Sequence, residues 1–137
     1  MAFWLMKTEP GAWSWDDQLK AGAAEWDGVR NYQASNNMKA MKLGDRAFFY
    51  HSVNEKRVVG IVEVVKEYYP DPSDPSGRFG MVDVAAVAPF AEPVTLARIK
   101  AEPRLAEIAL VRQSRLSVLP LRAAEWKLIC QMGGTEA

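Results

Sequence analysis

The densest run of chemically able side chains in this sequence is Trp26-Asp27-Gly28-Val29-Arg30-Asn31-Tyr32-Gln33. It lies where a glycine turn meets a helix start, and such a junction offers unpaired backbone N–H groups to a phosphate or a carbonyl oxygen. Trp and Tyr can stack on a planar base, Asn and Gln can read its donor–acceptor edge, and Arg can meet phosphate. Packing offers a plainer reading of the same residues: Trp26 and Tyr32 as core aromatics, Asn31 as a helix cap.

Two further segments carry polar chemistry. In the strand Arg46 to Ser52, alternation puts Arg46, Phe48, Tyr50 and Ser52 on one face and Ala47, Phe49 and His51 on the other. His51 and Ser52 fall at the strand end, where ligand-facing groups emerge from a scaffold. In Arg112-Gln113-Ser114-Arg115-Leu116-Ser117-Val118, two arginines flank an amide and a hydroxyl just before an apolar strand. This segment reads either as a solvated loop or as a phosphate clamp at a pocket rim.

Familiar catalytic signatures are missing. Gly60 and Gly80 are isolated, so no phosphate-binding glycine loop is present. One histidine and one cysteine cannot make a tetrahedral zinc site or a zinc deaminase site. His51 alone keeps a Ser-His-Asp triad arithmetically open, yet no Gly-x-Ser-x-Gly elbow supports one. No metal and no cofactor are expected.

The elements that must position these groups follow from the pattern. Phe3 to Lys7 reads as a strand stopped by Pro10 and Gly11. Ser14 and Asp17 form a capping-box variant with Trp13 as the outer half of a hydrophobic staple, and the helix ends near Gly22. Asn31 caps a second helix, with Ala34, Met38 and Met41 on one face and Gly44 as its left-handed terminator. Strands are predicted over Arg46–Ser52 and Arg57–Glu67, the second valine-rich, central and covered on both sides. Pro70 to Gly77 must be a loop. A strand over Met81–Ala88, a helix over Leu96–Ala101 capped by Thr95, a short strand over Ser117–Leu119 and a helix over Arg122–Met132 complete the chain. Strands mixed irregularly with short helices give an α+β domain on a curled sheet or small barrel.

A chain of 137 residues, 49% hydrophobic, suits one domain with one core over residues 1–137. Cys130 is the only cysteine, so no intrachain disulfide is possible, and a cytoplasmic setting is expected. The apolar N-terminal run is too short for a signal peptide or a spanning helix, so no membrane association is expected. Net charge is zero, which argues against a strong nonspecific polyanion binder. Residues 28–58 and 94–137 are nevertheless net basic while the intervening stretches are net acidic. The basic segments either converge on one face or cancel in space.

Five pieces in order resemble the EVE domain family: Phe3-Trp4-Leu5-Met6-Lys7-Thr8-Glu9-Pro10, Trp26 through Ala34, Phe49-Tyr50-His51-Ser52, Met81-Val82-Asp83-Val84 and Ser114-Arg115-Leu116-Ser117-Val118. The resemblance implies a PUA-like fold, a mixed sheet curled into a partial β-barrel with short helices around it. Families of that fold, including the YTH and SRA domains, bind a base in a concave pocket, often a modified one. By that likeness, Trp26, Asn31, Tyr32, His51, Ser52 and Ser114 are base-pocket candidates. Arg30 and Arg115 would contact phosphate or buttress the pocket, and Lys7 would reach its rim. The family usually carries arginine where this chain has Ser35, and the hairpin and the Pro70–Gly77 loop look shorter than in many members. The expected protein is a monomeric, non-enzymatic binder of a modified base in DNA or RNA. Two alternatives remain at this point: an enzyme on nucleotides with His51 as acid or base, and a protein-interaction module.

Overall fold

The computed structural model describes residues 1–135. Its centre is a six-stranded mixed sheet in the order β2-β5-β4-β3-β1-β6. The strands are β1 (Phe3–Thr8), β2 (Ala23–Glu25), β3 (Arg46–His51), β4 (Arg57–Pro70), β5 (Gly80–Thr95) and β6 (Val118–Leu121). Five helices accompany them: α1 (Trp15–Ala21), α2 (Tyr32–Ala40), α3 (Leu96–Ala101), α4 (Ala109–Arg112) and α5 (Ala123–Met132), with a 3-10 turn at Pro103–Leu105. β1 runs parallel to β3, with Lys7 opposite Tyr50 and Thr8 opposite His51, and every other neighbouring pair is antiparallel. The two edges, β2 and β6, do not pair, so the sheet curls without closing.

The curl comes from the long β4–β5 pair. Its register slips at four places between Val58 and Tyr69, and a fifth slip separates Phe49 from Tyr50 in the β3–β4 pair. Each slip inserts unpaired backbone and sharpens the local twist. β4 lies inside the sheet as its valine content predicts, but only Val58 to Val62 are covered on both sides. From Val65 onward the cover thins: Val65 is exposed, while Tyr68 still packs against α2 through Ser35 and Lys39.

The two faces of β3 carry different aromatic packing. Phe48 stacks on Trp126 of α5 with centroids 3.9 Å apart, and Phe3 covers the other side of that indole at 4.7 Å. Phe49 faces the opposite layer, where Trp15 and Trp26 meet it edge-on at 5.2 and 5.5 Å. The alternation read from the sequence therefore holds despite the slip.

Local signals explain most helix ends. Ser14 Oγ accepts the Asp17 N–H while Asp17 Oδ2 accepts the Ser14 N–H, the reciprocal box that opens α1. Asn31 Oδ1 accepts the Ala34 N–H at 2.9 Å and starts α2. Gly44 does not end that helix. α2 stops at Ala40, Met41 is already extended, and the left-handed Gly44 (φ 86°) serves the turn that enters β3.

Candidate functional site

Two adjoining concavities lie where the C-terminal end of β1 meets the start of β6. Lys7, Thr8 and Ser117 line both and form the ridge between them. The ridge is fixed by backbone, because the Lys7 N–H donates to the Ser117 carbonyl at 2.8 Å and the Ser52 N–H donates to the Thr8 carbonyl at 2.9 Å. Across it, the Lys7 ammonium donates to the Ser114 carbonyl at 2.9 Å, and burial lowers the pKa of this lysine.

The first cavity has a volume of about 610 Å³, within the range of small-ligand pockets. Trp13 and Trp26 contribute aromatic wall, Val29 and Ala24 smaller apolar surface, and Glu25, Asp27, Thr8 and Ser117 polar groups. Lys7 and Arg30 balance Glu25 and Asp27 in charge. Trp26 is buried against Phe49, so only a sliver of its ring faces the cavity. Trp13 is half-buried, its indole N–H donating to Gln18 Oε1 at 3.0 Å, and its carbonyl accepts the Thr8 hydroxyl.

Asp71 shapes the far wall. Gly28 takes a left-handed backbone (φ 79°) and donates its N–H to Asp71 Oδ2 at 2.9 Å, while Arg30 reaches the same oxygen at 3.2 Å. Burial by itself would raise this carboxyl, but hydrogen bonds from Ser73, Gly28 and Arg30 outweigh it and bring its pKa down to about 2. Arg30 also donates to the Val29 carbonyl and to Ser73 Oγ, and lies over the Phe79 ring. Its guanidinium is thus committed within the protein and buttresses the Asp27–Arg30 wall.

The second concavity measures about 710 Å³ and is basic in character. Lys7, Lys56, Lys100 and Arg115 line it against one carboxylate, Glu9, with Tyr50, Ser52 and Ser114 adding hydroxyls. A smaller groove beyond Ser114 and Arg115 continues to Arg112, Gln113, Asn31 and Gln33.

The sequence candidates therefore divide. Trp26, Arg30 and Lys7 line the first cavity, and Ser52, Ser114, Arg115 and again Lys7 line the second. Asn31 spends its side-chain oxygen on the α2 cap and borders only the outer groove. Tyr32 points outward, 60% exposed and packed on Phe79 with centroids 5.0 Å apart, away from the cavities. His51 is buried: Nε2 accepts the Trp15 N–H at 3.0 Å and Nδ1 faces Glu55 Oε1 at 2.8 Å. The carboxylate partner makes Nδ1 the protonated nitrogen, so the ring holds α1 against the β3 end. Ser35 is buried and shares a hydrogen bond with the Tyr68 hydroxyl at 3.2 Å, so an arginine there would have to displace that contact.

Sequence reasoning missed Trp13, Glu25 and Thr8 as wall residues. Trp13 reads as a helix staple, and Ala23-Ala24-Glu25 carries no strand propensity although it pairs with Val84 and its neighbours on β5. The basic segments 28–58 and 94–137 do converge, through Lys56 from the first and Lys100 and Arg115 from the second.

The chain and its fold are similar to several known proteins. Mouse thymocyte nuclear protein 1 is 37% identical over an alignment covering 98% of this chain and 74% of that protein. A Rhodopseudomonas palustris protein solved by NMR superposes with a TM-score of 0.93 at 56% identity, covering 98% of this chain and 94% of that one. Human THYN1, solved in complex with 5-methylcytosine-containing DNA, superposes with a TM-score of 0.91 at 35% identity over the whole of both chains. A YTH domain from Zygosaccharomyces rouxii shares the fold alone, with a TM-score of 0.58 at 17% identity over 96% of this chain and 86% of that one. The EVE domain model matches residues 2–132, and the chain belongs to the EVE domain family.

Proposed function

We propose that this chain is a non-enzymatic reader of a modified base in nucleic acid, and that the base enters the first cavity. The observation that carries this reading is the pairing of two tryptophans with a charge-balanced polar edge in one ligand-sized cavity. A neutral base gains from stacking on the half-buried Trp13, at about 1–3 kcal/mol per base, while the edge of the buried Trp26 closes the wall behind it. Glu25 and Asp27 are acceptors suited to an exocyclic amine such as the N4 group of cytosine. Val29 and Ala24 offer apolar surface to a methyl substituent. The human THYN1 complex makes 5-methylcytosine in DNA the first ligand to test. Within this reading the protein works as a single-domain monomer in the cytoplasm, with Lys7 and Ser117 meeting the sugar or phosphate at the cavity mouth.

The test is an anisotropy titration with matched duplexes that differ only in cytosine methylation. Wild type binds the methylated duplex more tightly, and Trp13→Ala loses about tenfold in that affinity, as one stacked base would supply. Trp26→Ala also weakens binding, but it removes a buried ring packed on Phe49 and so lowers stability as well, which makes Trp13 the cleaner probe. Equal affinity of wild type for the two duplexes and for others bearing modified adenine or cytosine would refute the reading.

A further inference from the structure

The second cleft is left over once a base is assigned to the first, and three independent features mark it. Its positive charge is not neutralised locally, although Lys7 donates one hydrogen bond to the Ser114 carbonyl. Lys7, Lys56, Lys100 and Arg115 form no ion pair among the described residues, which holds for the other described lysines too. What sets the cleft apart is that four such cations gather against one carboxylate, Glu9. The side-chain hydroxyls of Ser52, Ser114 and Ser117 likewise make no hydrogen bond to described residues, so donors remain beside the positive charge.

The second feature is backbone strain at the rim. Val53 (φ 70°) and Lys56 (φ 48°) are the two non-glycine residues with left-handed backbone among the described residues, and both line this cleft. A β-branched residue in that conformation is costly and persists only when its surroundings impose it. Here the Lys56 carbonyl accepts the Leu96 N–H at 2.8 Å, which pins the β3–β4 turn to the start of α3. The strained turn holds Ser52 and Lys56 over the cleft instead of letting the hairpin swing into solvent.

The third is position. The cleft abuts the first cavity along Lys7, Thr8 and Ser117 and continues past Ser114 and Arg115 into the outer groove of Arg112 and Gln33. Charge divides between the two sides: balanced in the cavity, strongly positive in the cleft. That division matches the split between base contacts, which specify, and phosphate contacts, which position.

We propose that this cleft binds the phosphodiester backbone of the strand whose base occupies the first cavity, an inference that rests on the proposed function above. Lys56, Lys100 and Arg115 meet successive phosphates, and the Ser52 and Ser114 hydroxyls donate to their oxygens. Lys7 sits on the ridge between base and backbone.

The experiment is the salt dependence of affinity for the methylated duplex, measured by anisotropy for wild type and for the Lys56→Gln/Lys100→Gln variant. Both lysines are exposed, so the variant folds, and its thermal midpoint checks that directly. Removing two phosphate contacts flattens the slope of log K against log salt by about 2. Affinity falls for methylated and unmethylated duplexes alike. An unchanged slope in a folded variant overturns the cleft assignment even if methylation is still discriminated. A flattened slope without any discrimination sustains the cleft and sinks the base reading instead. Inorganic phosphate is the second probe: amide shifts at Ser52 and Ser114 with phosphate but none with the duplex would assign a free anion and overturn the proposal.

Discussion

His51 Nε2 accepts the backbone N–H of Trp15 at 3.0 Å, tying the end of β3 to the first residue of α1 across the wall behind Trp13. The imidazole is a structural fastener, with Glu55 on its other nitrogen. His51→Ala strands the Trp15 N–H in a buried setting, which costs about 1–3 kcal/mol of stability. Urea unfolding measures that loss, and methylation discrimination persists in the folded fraction. A variant of full stability would remove the fastening role.

Gly60 and Trp15 give a second stability prediction. A Cβ at Gly60 would fall 2.5 Å from the Trp15 ring, and that ring is wedged edge-on against Phe49. Gly60→Ala therefore costs about 1–3 kcal/mol through overpacking. Gly11→Ala, with nothing within 4 Å of its Cβ, is the control and leaves the denaturation midpoint nearly unmoved.

Asp71 links acid stability to the cavity wall. Its folded pKa, about 2, lies below the ordinary carboxylate value of 3.8. Its contribution is complete above that ordinary value and is lost as pH falls through it toward the folded pKa, where the unfolded chain binds the extra proton. Asp71→Ala removes this acid-range slope and leaves the Gly28 and Ser73 N–H groups without their acceptor, lowering stability by about 1–3 kcal/mol at neutral pH. Thermal midpoints across the acid range test the sign: parallel curves for variant and wild type would contradict it.

Lys7 gives opposite pH trends for stability and for binding. Burial lowers its folded pKa from 10.5, so between the two values the unfolded chain holds more protons and this group's contribution to stability rises with pH. Over the same window the folded protein loses the ridge cation, and affinity for the duplex falls. Lys7→Met flattens both trends. Titrations from neutral pH up to 10.5, compared with the variant, read the difference.

Much of the frame was legible because it rests on local chemistry. The Ser14–Asp17 box, the Asn31 cap and the Thr95 cap each announce a helix start, and the Phe48/Phe49 alternation announces a two-sided strand. What stayed hidden is set by distant partners. β5 runs from Gly80 to Thr95 through Pro89 and Pro93, which bulges and irregular pairing with β4 accommodate. β2 exists only because β5 offers it an edge. Short α4 at Ala109–Arg112 has no side-chain cap to betray it. In the site, Trp26, Lys7 and Ser114 could be chosen from residue type and family likeness. Whether Asn31, Tyr32 and His51 face a cavity depends on the α2 cap, on Phe79 and on Trp15, and no spacing rule encodes those contacts.

The central claim is that a modified base occupies the cavity walled by Trp13 and Trp26. Its most direct measurement is the 1H–15N spectrum of the labelled chain titrated with the methylated duplex. The chain has five tryptophans, and Trp126 lies on the opposite side of the sheet between Phe3 and Phe48. The account predicts shifts in the indole N–H signals of Trp13 and Trp26 and in the Gly28 amide, with Trp126 unmoved. Shifts confined to residues outside this cavity, with Trp13 and Trp26 silent at saturation, would contradict it.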